Sequence, residues 1–303
     1  MNPISSSMMN AMLQTSVLAV VVPVLAIVIW KMRYRVSLKP FFLGVLFYAA
    51  YKGVLVFVNM MASGMFPRME SSHRTSMIVL YLVYQMLVLG ILCELVRIAA
   101  FRFYLTGVTK AKDAVTFGMG FAGAECVATL FVSNILNYVY SSIANNLIDQ
   151  YGSIDIAASK LGDSSLTGMY DVVCKVRPFS TWMGGWQALS SYGIGIAFTI
   201  MIFYGIRLKN KKLVWLSIAG HSIAIMPIAL HAKNVLGSNV LTQLIYFVLA
   251  LVIFLYSLKC YKYHQNDERN VETTAGQTEK VASPKSSIHS IASRNLKELD
   301  EKK

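Results

Sequence analysis

The sequence predicts an all-α, polytopic membrane protein of about seven transmembrane helices, and three observations predict it. Hydrophobic residues make up 55% of the 303 positions and charged residues only 14%, against roughly 25% charged in a typical soluble domain. Seven apolar runs are long enough to cross a hydrocarbon layer about 30 Å thick, which takes about 20 helical residues. Lys and Arg are distributed unevenly between alternate loops. So few polar groups cannot cover a globule, which excludes a soluble enzyme and a disordered chain alike.

The runs fall at approximately 13–30, 41–62, 77–101, 114–144, 184–206, 213–231 and 240–259. Each must be a helix, because backbone groups in lipid have to bond within their own segment. The first, Leu13 to Trp30, has no basic residue before it and Lys31, Arg33, Arg35 and Lys39 soon after. A secretory signal has the reverse charge order, so the run predicts an uncleaved span with the N-terminus outside. The fourth run is long enough to tilt or to project beyond the bilayer.

With the N-terminus outside, the inner segments carry twenty Lys and Arg and the outer ones six. Positive charge is held on the cytoplasmic side, so seven spans place the C-terminus in the cytoplasm and the protein in the plasma membrane. The chain then divides into a short extracytoplasmic N-terminus (1–12), a seven-helix membrane domain (13–263) with an exposed outer loop at 145–183, and a tail at 264–303. That tail is rich in Ser, Lys and Glu, and its composition predicts disorder in the cytoplasm. It carries seven basic and seven acidic residues, so the net charge of +13 belongs to the first 263 residues. There it lies in short loops between apolar runs, which points to the lipid bilayer as partner and not to nucleic acid.

The cysteines are Cys93, Cys126, Cys174 and Cys260, with no C-x-x-C spacing. Neither a disulfide framework nor a cysteine-based zinc site is indicated. The informative residues are the ionisable ones inside the runs, because a charge at mid-bilayer costs about 2.5–3.5 kcal/mol even on lenient scales. They are Glu94 and Arg97 in the third run, Glu125 in the fourth and His221 in the sixth. Glu94 and Arg97 are three apart, share a helical face and can form an ion pair. Lys52, in the second run, has a stem long enough to snorkel. Two glutamates and a histidine can hold a metal or activate a water as general base and acid; spacing alone does not bring them together. Gly118, Gly120 and Gly123 spell G-x-G-x-x-G, but inside an apolar run the pattern lacks the strand that a nucleotide site requires. Small residues there allow close helix approach instead.

Four stretches carry a family likeness: Lys39-Pro-Phe-Phe-Leu-Gly44; Cys93-Glu94-Leu-Val-Arg97-Ile-Ala-Ala-Phe-Arg102; the run from Asp113 to Glu125; and Gly220-His221-Ser-Ile-Ala-Ile225-Met-Pro227. In order and position they resemble the YhfC-type intramembrane proteases of the CAAX-protease-like superfamily, which also includes the Aph subunit of gamma-secretase. The resemblance implies a third-span Glu-Glu-x-x-Arg motif, a fourth-span Gly-x-Gly-His-x-x-x-Glu motif and a late His-x-x-x-Asp-x-Pro motif. Measured against it, the first glutamate is Cys93 here, the fourth-span histidine is Phe121 and the late aspartate is Ile225. A fifth-span histidine has no counterpart, with Ser191 or Tyr192 near its place.

Glu94, Glu125 and His221 remain as candidate catalytic residues, with Arg97 as their structural ion-pair partner. Phe121 can neither bind a metal nor pass a proton, and a thiol in apolar surroundings is inert. Losing one member of a catalytic unit usually removes most of the rate. The resemblance therefore predicts a degenerate member, a pseudoenzyme that binds a transmembrane segment of another membrane protein without efficient peptide hydrolysis. Its cofactor expectation is none, the alternative being a divalent metal such as zinc on Glu94, Glu125 and His221. One competing reading is an active intramembrane endopeptidase, of glutamic or metallo type, using Glu94 or Glu125 with His221. Another is a seven-span receptor or transporter, against which stand the missing receptor motifs and the lack of matching repeat halves.

Overall fold

A computed structural model describes residues 3–62, 64, 74–108, 110–175 and 177–281. Every element among them is helical. Among the described residues, seven helices are long and apolar enough to cross a membrane: Ser6–Tyr34, Lys39–Met61, Thr75–Tyr104, Ala111–Tyr151, Pro178–Arg207, Lys211–Ala232 and Asn239–His264. They correspond one to one with the predicted runs and are called the first to seventh spans below. Most of the second loop, residues 63 and 65–73, and the tail beyond Val281 lie outside the described residues.

The chain divides into two units, residues 1–258 and 259–303. The first contains the bundle and the candidate site. In the second, helix continues to Val281, so the part of the tail that is described is helical where its composition predicts disorder.

The fourth and fifth spans form the buried axis of the bundle. Every residue from Ala114 to Gly123 is buried, and so is every residue from Ile194 to Gly205. A helix that is apolar all round belongs in such a place. Small residues let its neighbours in. A Cβ placed on Gly120 would collide with the carbonyl oxygen of Phe41, and one on Gly44 with that of Phe117, so the second and fourth spans touch backbone to backbone. On the opposite side a Cβ on Gly195 would stand 2.8 Å from that of Ala122, which closes the fourth span onto the fifth.

The third span is not a uniform α-helix. It takes π-helical geometry at Met86–Ile91 and again at Ala100–Tyr104, on either side of the turn that carries Cys93, Glu94 and Arg97. The fourth span does the same at Val127–Phe131, directly after Cys126 and so two residues beyond Glu125. Such turns re-aim the residues beyond them and are frequent at functional sites.

The stretch at 145–183, expected to be an exposed loop with helical pieces, holds two helices, Ile154–Leu161 and Ser165–Lys175, and is partly a core. Ile154, Tyr170 and Val173 pack with Ile4, Met8, Met12, Ala144 and Ile148. The reason is local: Ile154, Ala157 and Ala158 fall on one helical face, and Ser153 accepts a bond from the Ile156 amide to start that helix. The N-terminus is tied to the same cluster. The Ile4 amide donates to Asn145 Oδ1 at 2.7 Å, and Asn145 Nδ2 donates to the Ile4 carbonyl at 2.9 Å.

Candidate functional site

Glu94 is the hub. It is fully buried, as is Arg97, and the two are joined as an i,i+3 ion pair through Oε1 and Nη1. The same Oε1 lies 2.6 Å from Nδ1 of His221, and Oε2 accepts from the Ser217 hydroxyl at 2.9 Å. Ser217 and His221 are four apart, so one face of the sixth span presents both. A proton on Nδ1 makes the first of these contacts a donation to the carboxylate and leaves Nε2 as the free ring nitrogen. The imidazole is stacked on Phe198, with ring centroids 4.9 Å apart and planes 16° from parallel.

Arg97 meets the fourth span through Phe121. Its guanidinium lies 4.4 Å from the centre of the Phe121 ring, a cation–π contact. That ring in turn packs against Tyr48 and Tyr51 of the second span. Nη1 of Arg97 serves Glu94; Nε and Nη2 are buried and have no acceptor among the described residues.

Beside this knot lies a cavity of about 240 Å³ whose wall includes Lys52, Cys93, Arg97, Glu125, His221 and Ile225. A second cavity of about 240 Å³ shares Glu125, Thr129, Gln187 and Ser191 with it and extends between the fourth and fifth spans to Gly184. The fifth-span wall is polar as well: Ser191 is bonded to Tyr246 at 2.7 Å, and Gln243 donates to Gln187 at 2.8 Å.

The structure therefore brings together Glu94, Arg97 and His221 as a bonded group, and gathers Arg97, Glu125 and His221 around one cavity. It does not join Glu125 to Glu94 or His221: no hydrogen bond or ion pair reaches the Glu125 carboxylate among the described residues. The three-ligand arrangement of Glu94, Glu125 and His221 is replaced by Glu94, Arg97, His221 and Ser217. The physical reason is one of level. Phe121 sits against Arg97, and Glu125 is four residues, or about one turn, further along the same helix.

Lys52, for which snorkelling is the expectation, lines the cavity with its ammonium 5.6 Å from the Tyr48 ring centre. Ser217 does not stand out in the sequence, although its i,i+4 relation to His221 is a usable signal. Cys93, expected to be an inert substitution, has its Sγ close to the hub: that atom, a Glu94 oxygen and a His221 nitrogen all lie within 4.8 Å of one another.

The positions that depart from the expected motifs cluster here too. Cys93 and Ile225 are on the cavity wall and Phe121 is against Arg97. The profile of the family described as YhfC intramembrane metalloprotease matches residues 18–246 of the chain. The chain belongs to that family. It is also similar to a membrane protein of Bacillus subtilis (strain 168), YhfC, described as uncharacterized: 22% identical over 253 residues, or 82% of this chain and 94% of the relative. No solved structure matches.

The YhfC family's description implies a metal ion, and the residues present can be tested for fit. Cys93, Glu94 and His221 supply sulfur, oxygen and nitrogen donors of the kinds zinc accepts. The guanidinium of Arg97, however, already binds Glu94 Oε1 and stands 3.5 Å from His221 Nδ1. A permanent cation thus occupies the carboxylate, and His221 Nδ1 is committed to Glu94, which leaves Cys93 Sγ and His221 Nε2 as free donors, fewer than the three protein ligands that a zinc site takes. In this arrangement the site of the YhfC-family chain does not fit a divalent ion.

Proposed function

We propose that this YhfC-family chain holds a segment of another membrane protein and does not hydrolyse peptides efficiently. The observation that carries the reading is the Arg97–Phe121 contact. At the position where the resemblance expects a histidine, an aromatic ring packs under a guanidinium, and neither group can pass a proton to a substrate or hold a metal. Full engagement of Glu94 by Arg97, His221 and Ser217 supports the same reading, since such a carboxylate is already committed to stabilising its neighbours. The polar edge of the second cavity, with Gly184, Gln187 and Thr129, offers the bound segment its contacts.

In the same reading the protein lies in the plasma membrane with its N-terminus outside and its C-terminus in the cytoplasm, as the asymmetry of Lys and Arg favours. A photocrosslinking residue at Gln187 in living cells tests the function. The expected result is a discrete crosslinked membrane protein of unchanged length, captured equally when His221 is replaced by alanine. Shorter products that disappear with Glu94→Gln or His221→Ala would overturn it in favour of an active endopeptidase.

A further inference from the structure

We propose that the cavity binds a small zwitterion of the amino-acid class, with its carboxylate at Arg97 and Lys52 and its ammonium at Glu125. The inference rests on the non-hydrolytic reading above and concerns the first cavity alone, leaving the second to the membrane segment.

Three observations point the same way. Lys52 and Glu125 come from different spans, both line the cavity, and both are only half-buried. Neither belongs to the ion pairs that Glu94 makes with Arg97 and His221. Unpaired charges within membrane segments are costly and mark functional sites. One of each sign on the wall of one cavity is complementary to a ligand that carries both. A purely anionic ligand would face Glu125, and a purely cationic one would face Arg97 and Lys52.

The second observation is the orphaned edge of Arg97. Nε and Nη2 are buried and without acceptors among the described residues, and together they form the side of the guanidinium that takes a carboxylate through two parallel bonds. Nη2 lies beside Gly195, where a Cβ would stand 3.5 Å away, and both residues belong to the cavity wall. An arginine that is fully buried with three of its five N–H donors idle is completed by an acceptor entering there.

Size and lining supply the third. About 240 Å³ suits a molecule the size of a single amino acid. Ile194, Ala224, Ile225 and Ile228 give the cavity an apolar side fitted to an aliphatic side chain. The second cavity, which shares Glu125, Thr129, Gln187 and Ser191 with the first, gives it a polar side between the fourth and fifth spans.

The test is calorimetric titration of the full-length, detergent-purified protein with L-leucine, L-leucinamide and N-acetyl-L-leucine. L-Leucine is expected to bind at least tenfold more tightly than either analogue, because each analogue lacks one charge. Glu125→Gln should erase the advantage of L-leucine over N-acetyl-L-leucine, and Lys52→Met should shrink its advantage over L-leucinamide. Glu125→Asp, which keeps the charge, should restore the first discrimination, and matching elution profiles would establish that the variants fold. Absence of measurable L-leucine binding at millimolar concentration, or equal binding of all three compounds, overturns the proposal. Neither result bears on crosslinking at Gln187, and peptide cleavage by the native chain would sink the non-hydrolytic reading while leaving this titration intact.

Discussion

Gly120→Ala is expected to lower the thermal stability of the purified protein by about 6–12 °C, for the addition of a single methyl group. The added carbon would collide with the Phe41 carbonyl oxygen and lie 2.8 Å from the Phe41 carbonyl carbon. Backbone atoms cannot rotate aside as a side chain can. Relief therefore requires the second and fourth spans to move apart, and Gly44 on the facing helix is locked in the same way against Phe117 and Phe121. Overpacking a tight interior costs about 1–3 kcal/mol, and sometimes more. At about 2–4 °C per kcal/mol for a chain of this size, a cost near the top of that range gives the stated shift. Gly53→Ala is the matched control. Nothing lies within 4 Å of a Cβ built at Gly53, and alanine favours the helix by about 1 kcal/mol over glycine, so that variant should melt no lower than the native protein. If Gly120→Ala melts with it, the backbone-to-backbone crossing is wrong.

The same crossing shows what the sequence can and cannot disclose. The seven spans are legible because lipid demands long apolar helices, and each predicted run corresponds to one helix long enough to cross. The close approach at Gly118, Gly120 and Gly123 is legible as a class of feature, since small residues in an apolar run have few other uses. The Glu94–Arg97 pair follows from i,i+3 spacing. Its partner His221 does not: that contact joins residues 127 positions apart, and helical periodicity carries no information between helices. Nor does a hydropathy pattern reveal the π-helical turns at Met86–Ile91, Ala100–Tyr104 and Val127–Phe131. Each adds a residue to its turn and rotates the helix beyond it by roughly 100°. Faces drawn on an ideal helix lose their register past such a turn, and this limits any attempt to place Glu125 relative to Glu94 from sequence. The packing of residues 3–12 onto the helices at 154–175 is hidden for another reason. The apolar residues there are few and scattered, and they count as a core only when two remote segments meet.

Removing Arg97 should be the most damaging change at the site itself, and the way its effect is repaired distinguishes charge from packing. Arg97→Met leaves Glu94 fully buried with only His221 and Ser217 to hold it. Breaking a buried pair by deleting one partner typically costs about 3–5 kcal/mol, because the remaining charge is stranded, whereas replacing both partners by apolar residues of similar volume is often neutral. Glu94→Met combined with Arg97→Met is therefore expected to recover most of the stability that Arg97→Met loses, measured by thermal unfolding in detergent. Arg97→Lys should not rescue. An ammonium is a point charge on a flexible stem, while the native group bonds Glu94 through one nitrogen and spreads its plane over Phe121. Should the double variant prove no more stable than Arg97→Met, the loss would belong to the vacated contact with Phe121 and not to a stranded carboxylate. Glu94 would then be held chiefly by the sixth span, and its oxygens would not be committed to Arg97.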